Sequence, residues 1–290
     1  VVNKSFNKKK QINNINQRNN IRLGICSEFL RKHTIGNFFE NLIKDIAQEG
    51  LEVIIFRPAS SRIDTVSKRI DSCVLESIVL PRNIHSGCEV ILNKSIDILF
   101  YPDLGMSDYT YLLSLSRLAL VQVTSFGHPN TSGSPNIDYF ISAKDTETEN
   151  SDKYYSERLI RFSKLPFNQS QVSIEKSIFK RSDLDIPNDA FLMGLPQSLF
   201  KLHPNYDKVL DQILREIPNS LLLLIEGTNS SQTDLLLTRW KRHTKLLNKR
   251  SIFIPRVKRD HFLDIIRNVD IMLDPIYFGM GNTFYESMAF

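Results

Sequence analysis

Apolar and polar positions along the chain follow two alternating repeats. Short apolar runs, typical of buried parallel strands, are separated by segments whose apolar residues recur every three or four positions. The first such unit is a strand over Ile21–Phe29, a helix with apolar positions from Ile35 to Ala47, and a strand from Leu51. Because parallel strands need a crossover connection, this pattern predicts a β-α-β unit.

The same alternation predicts further elements in two groups. The first group contains short strands at Ser77–Leu80, Asp97–Tyr101, Ala119–Ser125, Tyr139–Ser142 and Leu159–Phe162. The second contains strands at 190–195, 220–226, 251–255 and 269–273 and helices at 204–217, 231–248, 259–268 and from about 282. We therefore expect an α/β protein with an N-terminal Rossmann-like domain at 21–165, a polar junction at 166–189 and a second domain at 190–290.

The first twenty residues break this pattern, because they are rich in Asn and Lys and nearly free of apolar side chains. We expect residues 1–20 to form a disordered basic linker. The net charge of +5 arises entirely here, from Lys4, Lys8, Lys9, Lys10 and Arg18. Since the rest of the chain has equal numbers of basic and acidic residues, its charge gives no indication of nucleic-acid binding.

The composition is that of a globular protein, with 41% hydrophobic and 24% charged residues. No apolar run reaches the length of a membrane span, and no signal peptide is recognisable. The three cysteines lack metal-binding spacing, which fits reduced thiols in a cytoplasmic protein. The chain opens with Val1 and closes at Phe290 within a predicted helix, so we expect a fragment of a longer protein.

Lys201 is the first candidate for chemistry. It lies between the strand at 190–195 and the helix at 204–217. A cation in the loop after a strand and ahead of a helix is where doubly wound α/β sheets receive anionic ligands. The alternative is a solvated surface lysine.

A glycine-rich segment, FGMGNTFYESMAF from Phe278, is the second candidate. Gly281 allows close approach of the backbone, and Asn282 and Thr283 stand at a predicted helix start, where free N–H groups can bind a diphosphate. The alternative is that Asn282 or Thr283 only caps the helix. Glu286, one turn on, can accept hydrogen bonds from ribose hydroxyls or only favour the helix dipole.

Two histidines follow strands of the first domain, His33 in RKHTIG and His128 in SFGHPNTSG. Loops at that edge of an open α/β sheet share one crevice, where an imidazole can position a reacting group. A structural or solvated histidine is the alternative for both. Asp183 and Asp185 form a DLD triplet, which we discount as a metal site because it lies in the polar junction.

Five segments in order resemble glycosyltransferase family 41, the O-linked N-acetylglucosamine transferase-like enzymes. They are GHPNTSG, IDYFIS, YSERLIR, LPQSLFKLHP and DPIYFGMGNTFYESMAF. The resemblance covers Ile21 to Phe290 and is nearer to the bacterial and plant-type branch than to the animal enzymes. Asp97 departs from the animal pattern, which has a histidine there.

The resemblance implies a GT-B fold, in which two Rossmann-like domains face a cleft, here with the second domain truncated at its C-terminal end. It implies inverting transfer of a hexose or N-acetylhexosamine from a UDP- or GDP-linked sugar to a protein side chain, Ser or Thr, without a metal or other cofactor. The departing diphosphate would be stabilised by a lysine and a helix terminus. The protein acceptor would be recruited by upstream tetratricopeptide repeats, which this sequence does not contain.

The same resemblance assigns roles to individual residues. Lys201 and Gln197 would contact the donor diphosphate, which the loop at Gly281, Asn282 and Thr283 would hold. The ribose would bind Glu286, and Val257 and Arg259 would lie near the base. His33 and His128 would line the acceptor side.

Two other functions stay open at this point. One is a GT-B transferase that acts on a glycan or a small molecule, which upstream helical repeats would distinguish. The other is a catalytically inactive scaffold with the same fold. The sequence does not identify the donor sugar, the acceptor or the catalytic base.

Overall fold

The computed structural model describes residue 18 and residues 20–168 and 179–290. The chain divides into two compact units, Val1–Ser170 and Gln171–Phe290. Most of the predicted linker lies outside the described residues. Arg18 is described, and its guanidinium donates to Asp97 Oδ1 at 2.8 Å.

The first unit is built on a sheet of seven parallel strands in the order β3-β2-β1-β4-β5-β6-β7. The strands are β1 (Arg22–Cys26), β2 (Glu52–Pro58), β3 (Glu76–Leu80), β4 (Ile98–Tyr101), β5 (Val121–Ser125), β6 (Tyr139–Ala143) and β7 (Arg158–Phe162). The central strand β1 is buried on both faces from Leu23 to Cys26. Within the sheet, Ile25 pairs with Ile55 of β2 and with Phe100 of β4. The seven predicted strands are confirmed.

The described residues of this unit form four α-helices: α1 (Thr34–Gln48), α2 (Thr65–Asp71), α3 (Ile84–Asn93) and α4 (Asp108–Ser114). Each of the first three begins with a side-chain cap, from His33, Asp64 and Asn83 respectively. Such caps satisfy backbone N–H groups that the helix leaves without partners. The helices thereby start at fixed points after the strand ends.

Asp97, the residue that departs from the animal pattern, has a structural place in this unit. Its Oδ2 accepts from the backbone N–H of Arg22 at 2.8 Å, and its Oδ1 accepts from Arg18. The side chain is 5% exposed, and it ties the start of β1 to the start of β4. Asp97 therefore does not stand where a ligand would reach it.

The second unit is built on four parallel strands in the order β10-β9-β8-β11. They are β8 (Phe191–Gly194), β9 (Ser220–Ile225), β10 (Ser251–Ile254) and β11 (Ile271–Met272). The helices are α5 (Pro204–Glu216), α6 (Ser230–His243), α7 (Lys245–Arg250), α8 (Arg259–Asn268) and α9 (Asn282–Met288). Alternate strand residues feed two apolar clusters, since successive side chains point to opposite faces.

One predicted helix and one predicted strand differ in extent. The helix predicted over 231–248 is divided at Thr244, whose φ of −147° is not helical. The last helical bond runs from its N–H to the carbonyl of Trp240 at 2.8 Å, and its hydroxyl lies 3.3 Å from the same oxygen, a side-chain bond that competes with the backbone and often bends helices. The strand predicted over 269–273 forms only at Ile271–Met272.

No helix among the described residues is long and apolar enough to cross a membrane.

A buried polar network fixes α5 against α6. Asp207 Oδ1 accepts from Trp240 Nε1 at 3.0 Å and from Arg239 Nη2 at 2.8 Å. Asp207 is 5% exposed and the Trp240 side chain is fully buried. Removing this carboxylate would leave the buried Trp240 Nε1 without its acceptor and Arg239 without its ion-pair partner, while Arg239 Nη2 would keep the Leu202 carbonyl.

We therefore expect Asp207→Ala to lower the free energy of unfolding by about 2–4 kcal/mol. Urea denaturation followed by fluorescence measures this directly, because Trp240 is the one tryptophan of the sequence. Asp234→Asn, at an exposed position of α6, is the control and should change the value by less than about 0.5 kcal/mol. An equally small change for Asp207→Ala would contradict this role.

Candidate functional site

Lys201 connects two loops at the carboxyl edge of the second sheet. It ends a short 3-10 helix, Leu199–Lys201, between β8 and α5. Its Nζ donates to the Gly279 carbonyl at 2.9 Å and lies 4.4 Å from the centre of the Phe278 ring. The structure thus brings together Lys201 and the glycine-rich loop after β11, two segments that sequence analysis selected separately.

Gln197 lies next to this ammonium group. Its Oε1 is 3.5 Å from Lys201 Nζ, and the residue is only 4% exposed. Its Nε2 has no hydrogen-bond partner among the described residues. Buried donors in proteins normally have an acceptor, so this amide N–H needs one. Because the Lys201 ammonium group lies next to it, the acceptor that fits best is an anionic oxygen of a ligand.

Burial lowers the pKa of the Lys201 ammonium from its ordinary range, and the nearby carboxylate of Asp274 acts in the opposite direction. Asp274 also orders the loop, since its Oδ1 accepts from the Met280 N–H at 2.6 Å. Sequence analysis quoted Asp274 within a motif without giving it a role. The position of Asp274, directly after a predicted strand, could have identified it as a candidate site residue.

The loop continues into α9 through Gly281. This residue has a φ of +60°, which a side chain would strain, and it is the N-cap of the helix without any side-chain capping bond. The alternative in which Asn282 or Thr283 caps α9 is therefore not realised. Asn282 Nδ2 instead donates to Glu286 Oε1 at 2.6 Å.

Glu286 is 2% exposed and already has two partners. Besides the Asn282 amide, its Oε1 lies 2.6 Å from Nη1 of Arg259, the first residue of α8. The loop after β10 is thus joined to α9. The structure places Arg259 and Glu286 together as an ion pair, whereas sequence analysis assigned them to the base and the ribose.

Val257 belongs to a different part of the unit. It lines an almost wholly apolar cavity of about 230 Å³. The other residues that line this cavity are Phe179, Asp183, Leu184, Ile254, Pro255, His261 and Ile265. Within residues 20–168 and 179–290, no three His, Cys, Asp or Glu side chains gather closely enough to hold a metal ion.

The two predicted histidines lie in loops at the carboxyl edge of the first sheet. His33 Nδ1 accepts from the Ile35 N–H at 3.3 Å, so the imidazole caps α1; burial, and then Arg31, lower its pKa. His128 is half-buried, and its ring packs against Gly105, where a Cβ atom would lie 3.1 Å from Nδ1. The His33 side chain thus caps a helix, and the His128 ring is held against Gly105.

Asp103, just after β4, is a residue of this edge that sequence analysis missed. It is 1% exposed; its Oδ2 accepts from Ser27 Oγ at 2.8 Å, and its Oδ1 has no partner among the described residues. Burial raises the pKa of this carboxyl group to about 7. The preceding residue, Pro102, accepts from the Gly127 N–H at 3.0 Å, so this loop supports the loop that carries His128.

The raised pKa makes a prediction for stability. Because the folded-state pKa of about 7 lies above the ordinary 3.8, the ionised form destabilises the fold, and stability falls as pH rises between these values. Asp103→Asn keeps an acceptor for Ser27 and cannot ionise. We expect the variant to gain stability over the wild type from pH 4 to pH 7, by on the order of 4 kcal/mol, and no further above pH 7.

Thermal unfolding of both proteins across that pH range measures the difference. A constant difference between the two melting temperatures would contradict the buried, titrating carboxyl group.

Comparison with curated proteins finds relatives that act on proteins. The chain is 28% identical over 203 residues to the UDP-glucose:protein N-beta-glucosyltransferase of Actinobacillus pleuropneumoniae, covering 69% of this chain and 31% of that protein. It is 23% identical over 216 residues to the probable UDP-N-acetylglucosamine–peptide N-acetylglucosaminyltransferase SEC of Arabidopsis thaliana, covering 71% and 22%. The chain thus spans about a third or less of these relatives. No family model matches it.

Comparison with solved structures shows the fold. A mutant O-GlcNAc transferase of Thermobaculum terrenum superposes with a TM-score of 0.76 at 21% identity, over 93% of this chain and 51% of that one. HepE of Anabaena, solved with UDP and glucose, superposes with a TM-score of 0.53 at 13% identity, over 93% and 78%. The GT-B fold expected from the sequence is confirmed.

Proposed function

We propose a function for this chain from its similarity to the catalytic region of glycosyltransferase family 41, a resemblance that the curated relatives confirm. The chain is part of a glycosyltransferase that moves a hexose or N-acetylhexosamine from a UDP-linked donor to a protein side chain. Transfer inverts the anomeric carbon and needs no metal. The acceptor is a Ser or Thr hydroxyl, and upstream repeats absent from this sequence recruit it.

The observation that carries this proposal is the pairing of Lys201 with Gln197. The half-buried Lys201 ammonium group lies 3.5 Å from Gln197 Oε1, at the carboxyl edge of a parallel sheet, and Nε2 of the same buried amide has no acceptor among the described residues. The Lys201 ammonium group and the Gln197 amide N–H can each donate to a phosphate oxygen. Hydrogen bonds to a charged oxygen are stronger than those between neutral groups, and the carboxyl edge of a parallel sheet is a common place for ligands to bind. The two curated relatives are a UDP-glucose:protein transferase and a probable UDP-N-acetylglucosamine–peptide transferase, which favours uridine over guanosine in the donor.

The chemistry asked of this site is stabilisation of a leaving group. The acceptor oxygen attacks the anomeric carbon, the bond from that carbon to the β-phosphate oxygen breaks, and UDP departs with the electron pair. Lys201 and Gln197 donate to the phosphate oxygens on which negative charge grows. The acceptor hydroxyl loses its proton to a general base as the new bond forms, and the resemblance to family 41 assigns His128 to the acceptor side.

Two further parts of the second unit are candidates to bind the base and the ribose of the nucleotide. The cavity lined by Val257 is apolar and about 230 Å³ in volume, which suits the flat ring of a base. The ribose hydroxyls would donate to Glu286, whose Oε1 pairs with Arg259 at 2.6 Å. Gly281, Asn282 and Thr283 would border the diphosphate.

Calorimetric binding of UDP to the full-length protein tests the proposal. We expect Lys201→Ala to weaken binding by about ten- to a hundredfold, because one or two charge-assisted hydrogen bonds are lost. Lys208→Ala, which removes an exposed lysine from α5, is the matched control and should bind as the wild type does.

The same titration with magnesium and with EDTA should give equal affinities. No UDP binding by a folded wild-type protein would overturn the proposal. Equal loss in both lysine variants would show that Lys201 contributes only general positive charge.

A further inference from the structure

Positive charge is distributed unevenly along the second unit. Residues 235–259 include nine Lys and Arg and no Asp or Glu, although the whole chain has 37 basic and 32 acidic residues. In the structure this segment covers most of α6, then α7, β10 and the loop that leads to α8. The even balance of charge beyond residue 20 therefore hides a strongly basic region.

Five side chains at the ends of two helices form what we call the basic surface: Lys241, Arg242, His243, Lys249 and Arg250. The first three lie in the last turn of α6 and the other two in the last turn of α7. Because α7 has only six residues, it is about 9 Å long, so the two groups lie close together. Arg250 Nη1 donates to the Leu214 carbonyl at 2.7 Å, which ties the end of α7 to the end of α5.

Within the described part of the chain, no carboxylate pairs with the basic surface. The ion pairs found in the second unit involve other arginines, namely Arg181, Arg215, Arg239 and Arg259. The exposed Glu216 at the end of α5 accepts from Gln212 Nε2 at 2.8 Å instead. The side chains of Lys241, Arg242 and Lys249 are exposed, so their charges are available to a partner.

The alternative explanation for these cations is the helix dipole, which favours positive charge in the last turn of a helix. That effect accounts for the cations at the ends of α6 and α7. It does not account for the absence of Asp and Glu from the whole of 235–259, since an acidic residue elsewhere in the segment would leave the helix ends unchanged.

The basic surface lies at the opposite edge of the sheet from Lys201. Helix α6 follows the carboxyl end of β9 and runs back along the sheet, and α7 leads directly into the amino end of β10. The ends of both helices therefore lie at the amino edge, whereas Lys201 lies at the carboxyl edge. Because β9 has six residues, the two edges are about 20 Å apart. A ligand of the basic surface would not compete with the nucleotide-sugar donor.

We propose that the basic surface binds a run of Asp and Glu residues in an extended segment of a partner protein. Carboxylates accept charge-assisted hydrogen bonds from ammonium and guanidinium groups, which are stronger than bonds between neutral groups. Complementary charge also speeds association and selects among partners. The surface thus recruits a protein at a distance from the site of chemistry.

Nucleic acid and an anionic lipid bilayer are the other polyanions to consider. Single strands stack their bases on exposed aromatic rings, but Trp240, next to the basic surface, is fully buried. Helices that lie on a bilayer insert exposed apolar side chains, but Leu247 of α7 is fully buried and Leu246 is half-buried. A protein segment needs neither feature. The choice of a protein also rests on the proposed function, in which the acceptor is a protein.

Fluorescence anisotropy of the full-length protein with a labelled oligoglutamate peptide of about eight residues, which spans about 25 Å when extended, tests the proposal. We expect the peptide to bind at low salt and to dissociate as salt is raised, because salt screens exposed charges. Combining Lys241→Gln, Arg242→Gln and Lys249→Gln should weaken binding about tenfold, since three exposed ion pairs are lost. Glutamine keeps the helix propensity of these positions.

The matched control combines Lys44→Gln, Arg62→Gln and Lys68→Gln, which removes three exposed cations from the first unit. It should bind the peptide within about twofold of the wild type. Lys241→Arg with Lys249→Arg keeps both charges and should also bind as the wild type does. Calorimetric affinity for UDP should be the same in all of these proteins, which shows that each is folded.

The outcomes separate this proposal from the proposed function. No peptide binding by the wild type, or equal weakening in both triple variants, would overturn the basic surface. Tighter binding of a labelled DNA duplex or of phosphatidylserine vesicles, lost only in the α6–α7 triple variant, would assign the surface to nucleic acid or lipid and would also overturn it. A wild type that binds the peptide through these residues but binds no UDP would support the surface and overturn the proposed function.

Discussion

Partial burial removes water from the Lys201 ammonium group, and contacts with the loop after β11 replace part of that hydration. The Gly279 carbonyl accepts its hydrogen bond, the Phe278 ring lies below it, and the Asp274 carboxylate opposes the fall in its pKa. Asp274 also fixes the loop through the Met280 N–H. One cation therefore orders the loop that borders the candidate site. The arrangement can also take an anion, because no acceptor for Gln197 Nε2 is found in the part of the chain that the structure describes.

In each of the two units, the other candidate residues lie in loops at the carboxyl ends of parallel strands. In the second unit, β8, β10 and β11 lead to Lys201, Arg259 and the glycine-rich loop, and the bond between Arg259 and Glu286 joins two of these segments. In the first unit, β1, β4 and β5 lead to Ser27, Asp103 and His128. The Ser27–Asp103 hydrogen bond and the Gly127–Pro102 bond hold these three strand ends together. The loops that carry the candidate residues are thus supported by buried polar contacts at the sheet edge.

Sequence patterns predicted most of the fold because buried parallel strands and amphipathic helices leave clear repeats. They also selected Lys201 and the loop from Phe278, since strand ends and glycines are visible in sequence. They could not show that Lys201 bonds the Gly279 carbonyl, or that Glu286 is neutralised by Arg259, because these contacts join segments far apart in the chain. Asp103 was missed because only tertiary burial gives its carboxyl group an unusual pKa. The break at Thr244 is a change of backbone dihedral angles at one residue, which the helical repeat does not reveal.

The central claim is that Lys201 and Gln197 bind the diphosphate of a nucleotide-sugar donor. A crystal structure of the full-length protein with UDP tests it most directly. The account predicts a β-phosphate oxygen within hydrogen-bond distance of both Lys201 Nζ and Gln197 Nε2, with the uracil ring in the cavity that Val257 lines. A diphosphate bound elsewhere, with Lys201 still on the Gly279 carbonyl and Gln197 Nε2 without an acceptor, would contradict it.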